Sequence, residues 1–238
     1  MDELPVSLYG THLGELVGER GRALLRWSID AEERFGLNSP ILSRSLRVGF
    51  GSAEQTESFF GGLLPEGVHL DRLATQVQAA SNDLVGLLGA VGADLAGALR
   101  VGHPRERSEP ETLSIDEVVA LLDRADGFLV GGGGSALPGF QRKLTLTREN
   151  GRWMRGNGSV ASTHILKPVP LERRAAVEAE AYALSVARAL GLAPFEAWVE
   201  VLGDHAVLIV QRYDRVVTAS GAIERVHQED AAQALGLP

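Results

Sequence analysis

The sequence contains no cysteine, so neither a disulfide nor a thiolate-bound metal is open to it. No apolar run approaches the ~20 residues that cross a bilayer. The opening MDELPVSLYG carries two acids and none of the basic residues of a secretory leader. These absences point to a soluble cytoplasmic protein. Positive charge is also in short supply. Thirty-one acids against 23 bases leave a net charge of −8, which argues against a bulk electrostatic grip on nucleic acid. Local basic spots stand at Arg142-Lys143 and Arg173-Arg174, although such runs usually mark a solvated face. Of the six histidines only His227, near Glu229 and Asp230, has acidic neighbours at a ligand-like spacing. Acids there also suit the dipole at a helix start, and the sequence proposes no metal site.

What is present is an ordinary globular composition, 45% apolar and 23% charged, over 238 residues. That length holds one large domain or two modest ones, and no internal repeat is visible. Residues 102–112, GHPRERSEPET, are dense in charge, Gly and Pro without apolar periodicity, as in a linker. They divide the chain into regions 1–104 and 105–238. In the first, VSLYG, GELVG and ALLRWSI read as short strands punctuated by glycines, and residues 5–50 as strands and turns throughout. Ser52 and Gln55 form a capping box for a helix ending at Gly61-Gly62, with short helices over Leu70–Ala80 and Leu84–Leu88. In the second, Ser114 and Glu117 form another capping box, with Leu113 and Val118 as a hydrophobic staple, predicting a helix to about Ala125. Strands near 140–147, 162–167, 195–201 and 205–212, a helix near 172–190 and a short one over 229–235 complete the reading. The pattern suits an α+β fold: an antiparallel sheet with a helix packed on it.

Four features carry chemistry. The run Val130–Gly139 holds five glycines and a proline. Such a loop lets backbone amides approach phosphate oxygens, and its composition equally fits a plain flexible hairpin. It is not a Walker A loop, because Phe140 and Gln141 follow Gly139. Lys167 ends a strand and shares a face with Thr163 and Ile165, while His164 and Leu166 point the other way. A lysine there is commonly a snorkelling edge residue; in kinases it holds phosphates and pairs with a helix glutamate. Glu180 is the natural partner. It lies off the polar stripe of Arg174, Glu178, Ser185 and Arg188, and a carboxylate on an apolar face needs a counter-charge or a route to water. Finally, the apolar run Ala206–Val210 reads as a buried strand that opens into Gln211-Arg212-Tyr213-Asp214. Tyr213 also reads as a core aromatic.

In order and spacing, these segments resemble the HipA family of serine/threonine protein kinase toxins. SPILSRSLRV, FFGGLLPEG and NDLVGLLGAVGADLAGAL are similar to the family's N-terminal subdomain. ALPGFQRKLTL resembles its Gly-rich loop, THILKP its nucleotide-lysine strand, AEAYALSVARALGL its αC-like helix, VQRYDR its hinge, and HQEDAAQALGLP the segment that follows. The resemblance implies an N-terminal subdomain followed by a kinase-like N-lobe that binds ATP with Mg²⁺. Pro138, Gly139, Phe140, Gln141, Arg142 and Lys143 would lie at the phosphates with Lys167, and Glu180 would pair with that lysine. Gln211, Arg212 and Tyr213 would meet adenine through the main chain. It also implies a HipB-like DNA-binding antitoxin as partner, bringing DNA only indirectly, and a protein substrate.

Two departures from the family pattern stand out. The regulatory serine of the loop falls at Ala136, with Ser135 one residue earlier. A kinase also needs an aspartate and, five positions on, an asparagine that holds Mg²⁺. Five residues before Asn38, Asn82, Asn150 and Asn157 stand Glu33, Val77, Thr145 and Arg152, so the pattern is absent. After the hinge only Asp214 and Asp230 remain as aspartates. The expectation is a chain without the helical C-lobe and inactive alone: a kinase fragment, a binding module for an antitoxin, or one half of a split kinase.

Overall fold

In the computed structural model, residues 3–103, 110–124, 129–130, 133–134, 137–155 and 160–237 are described. The first region opens as a meander: β1 (Glu3–Leu8), β2 (Thr11–Glu19) and β3 (Arg22–Trp27). Its two turns, Tyr9-Gly10 and Arg20-Gly21, have positive φ at both residues, the tight mirror-image turn whose twist matches that of the flanking strands. Four helices follow: α1 (Ile29–Phe35), α2 (Ala53–Gly61), α3 (Val68–Val77) and α4 (Leu84–Val91). The chain then returns as β4 (Leu99–Val101) beside β1, giving the sheet order β3-β2-β1-β4. Helix α1 lies where the sequence suggested only strands and turns. Ser28 caps it by accepting from the Ala31 amide, and Asp30 and Glu32 occupy its first turn, where the helix dipole favours acids. The Ser52 capping box starts α2 as expected. Phe59 and Phe60 on α2 are fully buried, edge to face at 5.2 Å, amid Leu8, Leu16, Leu73, Leu87 and Leu99.

The second region comprises β5 (Glu111–Leu113), α5 (Ile115–Asp123), β6 (Leu129–Val130), β7 (Gly133–Gly134), β8 (Leu144–Glu149), β9 (Arg152–Arg155) and β10 (His164–Pro170). After them come α6 (Arg174–Ala189), β11 (Ala197–Leu202), β12 (His205–Gln211), β13 (Arg215–Val217), β14 (Ile223–Arg225) and α7 (Ala231–Leu235). Six strands form an antiparallel sheet in the order β11-β12-β10-β8-β9-β5. The apolar run in β12 covers both faces. Val207 and Ile209 join Val118, Leu121 and Leu122 of α5, whereas Ala206 and Leu208 join Val177 of α6. A strand's period of two sends alternate side chains to opposite faces, so a continuous run is needed where helices cover both. Strand β5 belongs to the stretch read as linker, and β9 and the β13–β14 hairpin were not anticipated. Ala125, the expected end of α5, lies outside the described residues.

The two regions are bolted together by buried charge. Arg212 reaches Asp214 at 2.7 and 2.9 Å, Ser162 Oγ at 2.9 Å and the Leu95 carbonyl at 2.8 Å. Arg215 reaches Asp94 at 3.1 Å, Asp214 at 2.9 Å and the carbonyls of Leu95 and Gly97 at 2.9 Å. Arg225 adds a 3.4 Å contact to Asp94. All five side chains are at most 7% exposed. Helix α7 also packs onto the first region: Gln233 donates to the Phe59 carbonyl at 2.8 Å, and Glu229 accepts from the Arg44 amide at 3.2 Å.

Replacing Asp94 by Asn should cost about 3–5 kcal/mol of unfolding free energy in urea, because breaking a buried ion pair strands its partner charges. Burial raises the Asp94 pKa, but the nearby Arg212, Arg225 and Arg215 outweigh it and hold the carboxyl well below the usual range. Its contribution is therefore complete above the ordinary aspartate value of ~3.9 and fades as pH falls below that. The unmodified chain should lose stability in that acid window more steeply than the Asp94→Asn variant.

Candidate functional site

The sheet register builds the site. In β10, Lys167 pairs with Leu208 and Leu166 with both Ile209 and Leu144. Lys143 directly precedes Leu144, where that ladder ends, and the Lys167 charge bears on it. Leu166 faces the α5 core, so Lys167 points to the α6 side. There its Nζ donates to Glu180 Oε1 of α6 at 2.7 Å. The side chains are 22% and 37% exposed, so the pair sits at a margin that water reaches.

Lys143 is more enclosed. Its ammonium donates to the Pro138 carbonyl, folding the loop back on itself. Burial and the neighbouring Lys167 charge lower its pKa to about 8, with Glu66 acting in the opposite direction. Near pH 8 this amine gives up its charge. Gly139 bends the loop at φ +106°, and a Cβ there would lie 3.2 Å from Lys143 Nζ; the residue's backbone and its lack of side chain together admit the lysine. Phe140 is exposed, Gln141 likewise, and Arg142 turns away to the carbonyl oxygens of Leu122 and Arg124. Ser135 and Ala136, and Gly131 and Gly132 of the glycine run, lie outside the described residues.

At the C-terminal end of β12, Gln211 pairs with His164, three residues from the mid-strand Lys167–Leu208 pair, a distance of about 10 Å along a strand. The Gln211 amide donates to the Glu196 carbonyl at 2.8 Å and the Arg212 amide to Thr163 at 2.9 Å. The Arg212 guanidinium is committed to the buried network, so it offers nothing to a ligand. Tyr213 is exposed with its ring 6.0 Å from that of Phe195, not a core aromatic. The structure thus gathers Lys143 and Glu180 around Lys167 at the middle of β10, and sets Gln211 at the end of β12 with Tyr213 beyond it. A cleft of ≈ 660 Å³ lined by Arg100, Arg148, Met154 and Ile223 lies away from the lysines and contains none of these residues.

One signal went unread in the sequence. Among 23 basic residues only two are lysines, Lys143 and Lys167, and the fold makes them neighbours. A chain that uses arginine everywhere else keeps its two compact, strongly hydrated ammonium groups for one place. A model of the HipA N-terminal domain matches residues 4–102, and a model of the HipA-like C-terminal domain matches residues 135–238. The chain belongs to the HipA family. It is 33% identical over 239 aligned positions to Y4mE of Sinorhizobium fredii, covering 93% of this chain and 55% of that protein. It is 27% identical to the serine/threonine-protein kinase toxin HipA of Shewanella oneidensis, covering 79% of this chain and 45% of the relative. The chain therefore spans about half the length of these curated relatives. Its fold matches a chain from the solved complex of Shewanella oneidensis HipA, HipB and operator DNA. There the TM-score is 0.80 and the identity 24%, over 98% of this chain and 56% of that one.

The Lys167–Glu180 bond should matter little to folding. Half-exposed ion pairs are worth less than about 1 kcal/mol, so Glu180→Gln should leave the thermal unfolding midpoint nearly unchanged. A large drop in calorimetry would make the pair a structural element instead.

Proposed function

We propose that this chain carries the nucleotide-binding half of a HipA-like serine/threonine protein kinase, with the second region folded as a kinase-like N-lobe. The observation that carries the reading is the 2.7 Å Lys167–Glu180 pair between a sheet strand and its covering helix, with Lys143 beside it. In kinases a strand lysine held by a helix glutamate binds the α- and β-phosphates. The Pro138–Lys143 loop would lie over the phosphates, and the Gln211–Tyr213 segment would meet adenine about 10 Å away along the strands. Among the described residues no cluster of three or more His, Asp and Glu could hold a metal ion. The two ammonium groups suit the phosphates of ATP by charge, and this reading assigns the groups that hold its Mg²⁺ to residues other than these. When bound, the metal neutralises charge on the transferring phosphates.

The chain's own share of the chemistry is positioning. Lys167, fixed by Glu180, holds one phosphate group while Lys143 offers a second cation whose charge depends on pH. The sequence has no Asp-x-x-x-x-Asn, so orientation of the acceptor hydroxyl would fall to residues beyond these 238. A HipB-like antitoxin is the partner this reading implies, supported by the solved complex that shares the fold; DNA would be met only through that antitoxin. A protein on Ser or Thr would be the substrate of the complete kinase. A second reading is a non-catalytic module that binds the antitoxin, and a third is half of a split kinase completed by another chain. The missing Asp-x-x-x-x-Asn pattern keeps both open.

Calorimetric titration of the chain with ATP should show weak binding that Lys167→Ala reduces about tenfold or more, the loss of a charge-assisted contact of ~1.5–3 kcal/mol. With labelled ATP, Mg²⁺ and a generic protein acceptor, no transfer above background is expected. Transfer abolished by Lys167→Ala would overturn the assignment of the catalytic groups to residues outside this chain.

A further inference from the structure

The first region does not stand apart from the lysine site; it touches the loop that forms it. Pro65 makes a parallel bridge to Gly139. Gly67, at φ +56°, lies under Phe140 so closely that a Cβ would sit 3.0–3.2 Å from the ring. Leu137, just before the loop, is buried in the core of the first region, and Ile165 packs against that core from β10. Between Pro65 and Gly67 stands Glu66, an exposed carboxylate whose charge is felt at Lys143. The Pro-Glu-Gly turn therefore grips the loop on both sides of the one residue that carries charge.

We infer that Pro65-Glu66-Gly67 is a working part of the lysine site, its backbone holding the Pro138–Lys143 loop and Glu66 acting as the positioning residue for the Lys143 ammonium. The inference rests on the nucleotide reading only for the identity of the ligand. Each lysine then has one carboxylate: Glu180 of α6 for Lys167, in direct contact, and Glu66 of the first region for Lys143, at longer range. The charged groups that bear on Lys143 are Lys167 from β10 and Glu66 from the turn before α3. Arg142 beside it points to the Leu122 and Arg124 carbonyls, and Glu180 is engaged by Lys167. With the Lys167 charge bearing on Lys143, Glu66 offsets part of the repulsion. A phosphate arriving between the two lysines would supply the same negative charge more directly; until it does, Glu66 offsets part of the lowering by burial and Lys167.

Because the chain has only two lysines, trace acetylation with acetic anhydride across a pH series reads each one separately by mass spectrometry. Labelling of Lys143 in the ligand-free chain should rise through a midpoint near 8. In Glu66→Gln that midpoint should fall, giving about twofold or more label below it, since a tenfold change in free amine accompanies each unit. Superimposable Lys143 profiles in the two proteins would overturn the inference. Gly67→Ala, strained at positive φ and crowded against Phe140, should speed amide hydrogen exchange in residues 139–141 relative to the unmodified chain; unchanged exchange counts against the grip. Should that variant not fold, the Glu66→Gln profile decides alone. ATP that fails to protect either lysine in the unmodified chain would sink the nucleotide reading, while a shifted Glu66→Gln profile would still support the charge coupling.

Discussion

Two buried aspartates, Asp94 and Asp214, hold three arginines at the point where the two regions meet, and the positions of the other functional elements follow from that clasp. Asp94 comes from the first region, whereas Asp214, Arg212, Arg215 and Arg225 come from the second. None is more than 7% exposed, so each charge depends on its partners to remain in the interior. The arginine forks suit this role. Planar guanidinium groups can satisfy a carboxylate and several carbonyl oxygens together, which an ammonium cannot do with the same geometry. The clasp fixes Gln211–Tyr213 relative to residues 94–97, and α7 adds a second attachment to α2. Regions 1–104 and 105–238, distinct along the sequence, are interlocked in space.

That interlock explains how a domain remote in sequence reaches the lysine loop. Leu137 and Ile165 are anchored in the first core, and Pro65 and Gly67 meet Gly139 and Phe140. A glycine-rich loop has little intrinsic preference for one conformation, so its shape is borrowed from the surface it touches. The geometry brings the two lysines together where the adjacent central strands β8 and β10 meet the loop before β8. What the second region offers there is two cations, one held by a helix carboxylate and one balanced across the junction.

Much of this was written locally in the chain. Ser52 with Gln55 and Ser114 with Glu117 marked helix starts because capping is a contact between residues three apart. The run Ala206–Val210 announced a strand buried on both faces, and alternation placed Lys167 on the face opposite Leu166. Other local signals were present and went unread. Asn150-Gly151, with positive φ at both residues, turns β8 into β9, and Asn-Gly is a strong hairpin signal. Ser28 followed by two acids opened α1. The pair of lysines in an arginine-rich chain was visible in the composition.

The sequence by itself determined most of the elements, their apolar faces, the resemblance to HipA and Glu180 as the natural partner of Lys167, because period, capping and charge on a helix face are properties of neighbours. Only the tertiary structure decided that the Arg212 side chain is part of a buried clasp, that β5 belongs to the sheet, and that the Pro65-Glu66-Gly67 turn lies against the Lys143 loop. Arg212 and Asp94 are 118 positions apart in the chain, and Glu66 and Lys143 are 77. No periodicity links residues at such separations; they meet because two cores pack against each other, and burial obliges the Asp94 and Arg212 charges to find their opposites.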